Sequence, residues 1–156
     1  MEKKEISILF ENTTLEVSDP YTKHQPVVIE DCLPGQWQQV LITADFGLFG
    51  SRNFLLVLEH EDLENLCSKC ADAGPEWVHL GEFAVDCGTA AIYDPELSDD
   101  EIYGIQCDSG IGDGCYPVHV LKNNDGKVIA IRVDFDIYGF TDQAKPDETK
   151  VNDEPA

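Results

Sequence analysis

The amino-acid sequence predicts a mostly β fold of the β-rich α+β class, built as an antiparallel β-sandwich or a partly closed barrel. Short runs of alternating polar and apolar residues recur along the chain, and this is the period of a strand with one buried face. Gly, Pro, Asn and Asp residues separate the runs at short intervals, as they do in all-β domains. Residues 1–140 of the 156 are expected to form a single domain, which is long enough to bury a core.

The predicted strands are short, and a hairpin closes the domain. Asp125-Gly126 is the strongest two-residue hairpin signal in the chain. One face of the strand after this turn carries Ile129, Ile131, Val133 and Phe135. Strands are predicted at 5–10, 15–17, 27–29, 37–43, 52–58, 77–80, 83–85, 89–93, 115–122 and 127–135.

Helical signals are few. The segment at about 61–73 follows the period of an amphipathic helix, and Gly74-Pro75 ends it. Its apolar stripe consists of Leu63, Leu66, Cys67 and Cys70. A capping box at 98–101 predicts a second helix, of one or two turns, that runs to Tyr103. The acidic tail at 141–156 has little to bury, and we expect it to be disordered.

The sequence also contains signs of an internal duplication. Three pairs of segments match: Asp19-Pro20 with Asp94-Pro95 and residues 54–59 with 129–134 at an offset of 75, and Gly35-Gln36-Trp37 with Gly114-Cys115-Tyr116 at an offset of 79. Two such units would stack as the sheets of one sandwich or close into one barrel. The alternative is that these matches reflect only the features shared by all β-hairpins.

The charge of the chain limits its ligands. Thirty-one acidic residues against ten Lys and Arg give a net charge of −21, which disfavours nucleic acid and anionic membranes because phosphate binding requires cations. A basic protein partner, divalent cations, or a purely solubilising surface remain compatible with it. The sequence has no apolar signal segment or membrane span, so we expect a cytoplasmic protein with its six cysteines reduced.

The most informative run is the acidic, glycine-rich loop at 108–118, which leads into a strand. A signature typical of one protein family begins in this loop with Gly112-Asp113-Gly114 and Tyr116-Pro117-Val118, and it continues with Asp125-Gly126 and Val133-Asp134-Phe135. An earlier segment of the same signature corresponds here to Val85-Asp86-Cys87-Gly88 and Asp94-Pro95. Over roughly residues 80–136 the chain therefore resembles an uncharacterised bacterial domain family. The resemblance implies a β-rich fold and no catalytic residues.

Glycines and acids that cluster where strands end are typical of binding loops. A small-ligand pocket at this loop would be lined by Asp86, Asp94, Asp108, Asp113 and Tyr116. Carboxylate and carbonyl oxygens there could also bind Ca²⁺, although the spacing is not that of an EF-hand. The competing interpretation is that these acids cap nearby backbone N–H groups.

Cys67 and Cys70 form the one Cys-x-x-Cys pair, but they lie on an apolar stripe toward the end of the predicted helix, where packing is the expected role. Zinc would require two more ligands, for which Cys87, Cys107, Cys115 and His79 are the candidates. We expect no cofactor and no resident metal, and the sequence identifies no catalytic residue.

These observations favour a non-enzymatic, acidic interaction protein that binds a basic partner. One concrete form is an immunity-type inhibitor of a basic enzyme such as a nuclease toxin. The alternative is a small-ligand or metal-binding protein, or a hydrolase, with a pocket at the Asp/Gly loop. A third interpretation is a structural module whose charge only keeps it in solution.

Overall fold

The computed structural model describes residues 3–23, 25–45, 50–61, 63, 77–98, 101–110 and 112–135, which form two antiparallel β-sheets. The large sheet has the order β1-β4-β5-β10-β9-β6, and the small sheet has the order β3-β2-β7-β8. The strands are β1 (Lys3–Phe10), β2 (Leu15–Ser18), β3 (Val27–Ile29), β4 (Gly35–Asp45), β5 (Ser51–His60), β6 (Val78–Val85), β7 (Thr89–Tyr93), β8 (Gly104–Asp108), β9 (Gly114–Lys122) and β10 (Val128–Asp134).

A single main core lies between the two sheets, as expected for a sandwich. Alternate residues of each strand face inward, so the period of two in the sequence becomes one buried face per sheet. The largest fully buried side chains of this core are Phe10, Trp37, Phe83, Tyr116 and Phe135. The predicted sandwich is therefore confirmed, and in the described residues neither sheet closes into a barrel.

The opposite face of the large sheet carries a second, smaller apolar cluster. Leu121, Ile129 and Ala130 are buried there against Leu33, Leu63 and Trp77. A register shift between Val128 and Ala130 explains why Ile129 belongs to this cluster. The prediction that Ile129 shares a face with Ile131 and Val133 was wrong. Because of the bulge, the Val128 side chain points into the main core with Ile131 and Val133, and the Ile129 side chain lies on the opposite face of the sheet.

The structure also differs from the sequence predictions at β6, at residues 101–103 and at β8. The segments predicted separately at 77–80 and 83–85 form one strand, β6, with a register irregularity between His79 and Gly81. The helix predicted to reach Tyr103 is not formed at 101–103, where the Tyr103 N–H donates to the Ser98 hydroxyl at 2.8 Å, and the unpredicted strand β8 follows. Apart from residues 61 and 63, the helix predicted at about 61–73 lies outside the described residues, as does the tail at 141–156.

The strand order repeats between the two halves of the chain. In the large sheet, β1-β4-β5 is mirrored by β6-β9-β10, and in the small sheet β3-β2 is mirrored by β8-β7. The central pairs Val17–Ile92 and Val57–Arg132 each join residues that are 75 apart, so they relate the halves by an approximate two-fold axis. The pairs Ile8–Trp37 and Phe83–Tyr116 reproduce the second offset, 79.

The sandwich has two ends, and the two-fold relation places corresponding connections of the two halves at opposite ends. One end, here called the cleft end, comprises the connections at 19–26, 46–50, 86–88 and 109–113. The other, here called the acidic end, comprises those at 11–14, 30–34, 61–77, 94–103 and 123–127. Among the described residues, no helix has the length and apolar character needed to cross a membrane.

Candidate functional site

The five residues predicted to line one pocket are divided between the two ends and the core. Asp86, Asp108 and Asp113 are exposed at the cleft end. Asp94 follows β7 at the acidic end and is fully buried, and the Tyr116 ring lies inside the sandwich. The structure therefore does not bring the five residues together around one cavity.

Asp94 has a structural role that its burial makes clear. Its carboxylate accepts a hydrogen bond from the Glu96 N–H at 2.9 Å and another from the Asn12 side-chain amide at 2.8 Å. The first bond forms the turn after β7, and the second connects that turn to the one between β1 and β2. A buried carboxylate requires such partners, so Asp94 fixes two connections of the acidic end.

Tyr116 supports the acidic glycine loop from within. Its hydroxyl donates to the carbonyl of Gly112 at 2.6 Å, and the Ser109 hydroxyl donates to the same oxygen at 2.7 Å. The Ser109 N–H in turn donates to the Gly88 carbonyl at 3.0 Å. These bonds join the loop at 109–113 to the turn at 86–88, which gives the exposed acids of both segments defined positions.

Asp19 is an important residue that the sequence reasoning noted only as part of a repeated Asp-Pro pair. Its buried carboxylate accepts hydrogen bonds from the backbone N–H groups of Asp86 at 2.8 Å and Cys87 at 2.6 Å, and from Tyr21 at 2.9 Å. Burial by itself would raise the pKa of Asp19, but these N–H donors hold the pKa below its ordinary value. The match with Asp94-Pro95 was the signal that could have identified this anchor.

A cleft opens at the cleft end, between the β4–β5 hairpin and the ends of β7 and β8. Its volume is about 360 Å³, which is within the range of small-molecule sites. It is lined by Thr43, Ser51, Arg52, Asn53, Gly88, Asp108 and Gly110. Of the predicted site residues, Asp108 alone is among them. The cleft was not predicted, because residues from 43 to 110 meet only through the pairing of the two halves.

Two histidines and an arginine meet on the outer face of the large sheet. The rings of His79 and His119 are 5.1 Å apart between centroids, and the Arg132 guanidinium lies 4.6 Å from the centre of the Trp77 ring. Burial, together with Arg132 and His79, lowers the pKa of His119. The neighbouring guanidinium makes this pair of imidazoles a poor site for a metal cation.

Three described cysteines, Cys32, Cys87 and Cys107, have raised thiol pKa values, which disfavours the nucleophilic thiolate. Burial raises the pKa of the Cys32 thiol and of the Cys107 thiol to about 12. At the exposed Cys87, desolvation and then the carboxylates of Asp19, Asp113 and Asp86 raise the thiol pKa. Among the described residues no group of three His, Cys, Asp or Glu side chains could hold a metal ion, and Cys67 and Cys70 lie outside that part of the chain.

The exposed carboxylates are concentrated at the acidic end. Seven of the twelve exposed acidic residues in the described part of the chain belong to its connections: Glu11, Glu30, Asp31, Glu61, Glu96, Glu101 and Asp125. Their exposed cationic neighbours at this end are Lys122 and Lys127. The result is a surface of strongly negative potential formed by five separate connections.

Hydrogen bonds join three of these connections to one another and to the first residue of β10. Besides the bond from Asn12 to Asp94, the Cys32 N–H donates to the Thr13 carbonyl at 2.8 Å. The Val128 N–H donates to the Asp31 carbonyl at 2.8 Å. The acids of the acidic end are therefore carried on a braced backbone rather than on independent loops.

Comparisons of the chain with protein-family models, with curated proteins and with solved structures gave no significant match. The resemblance of residues 80–136 to an uncharacterised bacterial family consequently remains a prediction, and the function must be argued from the geometry.

Proposed function

We propose that this protein is a non-enzymatic binding protein whose acidic end docks onto a basic protein partner. The observation that carries the proposal is the concentration, among the described residues, of seven exposed carboxylates against two exposed lysines on one end of the sandwich. A field of one sign over a defined surface accelerates encounter with an oppositely charged partner and fixes its orientation.

The bracing of the acidic end supports binding rather than simple solubilisation. Acids that only keep a protein in solution can be scattered over its whole surface. Among the acids whose exposure the structure describes, Glu82 is the one exposed acid in the middle of a strand, and the other exposed acids lie at the ends of the sandwich. Because the connections are tied to one another, little conformational entropy would be lost when a partner binds.

An inhibitor that covers the cation-rich site of a basic enzyme is one form of this function. Such an inhibitor needs a preorganised acidic surface and no catalytic groups of its own. The high thiol pKa values of the buried cysteines and the structural use of Asp19 and Asp94 are consistent with that role.

The test is affinity capture from cells that produce the protein, at low and at high salt. We expect a basic protein to be retained at low salt and to be released as the salt concentration rises, because exposed charges are screened over about 8 Å at physiological ionic strength. The triple variant Glu30→Gln, Glu96→Gln, Glu101→Gln should lose the partner.

A matched control has the same change in charge at the cleft end: Asp86→Asn, Asp108→Asn, Asp113→Asn. This variant should retain the partner, and both triples should bind a poly-lysine peptide equally well because that probe senses only net charge. Capture that is indifferent to salt, or that is lost equally in both triples, would overturn the proposal.

A further inference from the structure

The two ends of the sandwich are built from equivalent connections, but the hairpin at each end is joined to its neighbouring segment by different contacts. At the acidic end the β9–β10 hairpin is bound to the loop after β3: Val128 donates to the Asp31 carbonyl at 2.8 Å, and Leu33 donates to the Val128 carbonyl at 2.9 Å. A parallel bridge between Cys32 and Val128 completes the contact. Backbone hydrogen bonds therefore join the hairpin directly to the neighbouring loop at this end.

At the cleft end the corresponding hairpin is β4–β5, and the residue equivalent to Val128 at the offset of 75 is Asn53. Here the Asn53 side-chain amide, at 2.8 Å, donates to the Asp108 carbonyl. The cleft lies beside this contact, between the hairpin and the end of β8. The contacts that join hairpin and loop therefore differ between two positions that the repeat makes equivalent.

The cleft contains two opposite charges that do not neutralise each other. Arg52 and Asp108 both line it and are both exposed. Within the described residues the Arg52 guanidinium makes one hydrogen bond, at 3.3 Å to the carbonyl of Ser51, and no ion pair joins it to the Asp108 carboxylate. Each charge is therefore available to a complementary group of the same ligand.

We propose that the cleft binds a small zwitterion, namely a free α-amino acid, with the ligand carboxylate on Arg52 and the ligand ammonium group on Asp108. A guanidinium binds a carboxylate through two parallel hydrogen bonds, and a carboxylate accepts readily from an ammonium group. The hydroxyls of Thr43 and Ser51 supply further polar contacts. A net charge of −21 repels anions, whereas a ligand without net charge enters freely.

This site is independent of the proposed docking function, because the cleft and the acidic end lie at opposite ends of the sandwich. Calorimetric titration of the full chain with free amino acids, and with acetate, methylammonium and sulfate as single-charge probes, tests it. We expect amino acids to bind in about the millimolar range or tighter, and acetate and methylammonium to bind at least about tenfold more weakly. Failure of every amino acid to bind, or tighter binding of sulfate, would overturn the proposal.

The internal repeat provides matched control variants. Arg52→Gln and Asp108→Asn should each weaken amino-acid binding about tenfold or more. Lys127 and Glu30 occupy the equivalent positions at the acidic end, at offsets of 75 and 78, so Lys127→Gln and Glu30→Gln make the same charge changes away from the cleft. These controls should leave the affinity unchanged. Equal losses in a cleft variant and its control would mean that net charge alone governs binding, and the proposal would fail.

Discussion

Val17 and Ile92 pair directly across the centre of the small sheet, and they also occupy the same position in the two halves of the chain. Glu16 pairs with Tyr93, and its repeat counterpart Ala91 pairs with Ser18, as a two-fold axis at Val17–Ile92 requires. Because both sheets obey this relation, the residues that differ between equivalent positions are the ones that distinguish the two ends.

Because the Asp19 carboxylate accepts several backbone hydrogen bonds, its replacement by asparagine should strongly reduce the stability of the fold. Asp19→Asn replaces one acceptor oxygen by an NH₂ group that cannot accept from the N–H groups of Asp86 and Cys87. We expect the free energy of unfolding to fall by about 1–3 kcal/mol, the cost of leaving buried polar groups unpaired. Urea denaturation measures this change. Asp113→Asn, at an exposed position, is the control and should change stability by less than about 0.5 kcal/mol.

The lowered pKa of Asp19 should also make the stability of the fold depend on pH in the acidic range. The folded state holds the pKa of Asp19 below its ordinary value, so the carboxylate contributes stability that is fully present above that ordinary value. This contribution is lost as the pH falls through the lowered pKa. Unfolding free energies measured across the acidic range should fall less steeply in Asp19→Asn than in the wild-type chain. Parallel curves would show that another carboxyl group is responsible.

The lowered pKa of His119 predicts a second effect of pH on stability, at a pH closer to neutral. Burial, Arg132 and His79 lower its pKa in the folded state, with Asp134 opposing them, so the unfolded chain binds the proton more readily. Stability should therefore be complete above the ordinary histidine pKa of about 6.5 and should decline as the pH falls below it. His119→Gln should reduce this decline in a pH series of thermal unfolding experiments. An unchanged pH series would contradict the assignment.

Gly110 combines a backbone constraint with a packing constraint. Its φ is +75°, and an added Cβ would collide with the carbonyl oxygen of Asn53. Gly126 has a similar φ of +80° but open space around the position of a Cβ. Gly110→Ala should therefore cost about 3 kcal/mol or more, from the sum of backbone strain and overpacking, and Gly126→Ala about 1–2 kcal/mol. Chemical denaturation would compare the two, and equal losses would show that the contact relaxes freely.

Gln39 offers a stabilising substitution. It is 3% exposed and lies between the core residues Trp37 and Leu41 along β4, and its side-chain oxygen has no hydrogen-bond partner among the described residues. The equivalent residue in the second half, at the offset of 79, is Val118. Gln39→Leu should raise the free energy of unfolding by about 1 kcal/mol because it removes a buried, unpaired acceptor. A loss of stability on urea denaturation would imply that the oxygen has a partner after all.

Much of the fold could be predicted from local patterns. The strand predicted at 89–93 agrees with β7 residue for residue, and the hairpin at Asp125-Gly126 forms as expected. Strand β8 was missed because only Ile105 and Cys107 of its five residues are apolar, and it begins with Gly104 and ends with Asp108, residue types that are typical of turns. The side on which Ile129 lies was missed as well, since a bulge that shifts the register leaves no clear mark in the composition.

The candidate sites were less accessible to sequence reasoning. The acids of the 108–118 loop were predicted to form a site because they are close together in the sequence. The largest group of exposed carboxylates is instead at the acidic end, and it comes from five connections that are distant in the sequence. Arg52 and Asp108 are 56 positions apart in the chain and meet only where the two halves join.

The sequence by itself determined most of the strands, the two offsets of the repeat and the large excess of acid, because alternation, turn residues and charge are local properties of the chain. Tertiary structure decided which carboxylates are buried as anchors, which ones form the acidic end, and which residues line the cleft at the other end. Those outcomes depend on which connections become neighbours when the two halves pair, and this is settled by long-range packing and hydrogen bonding.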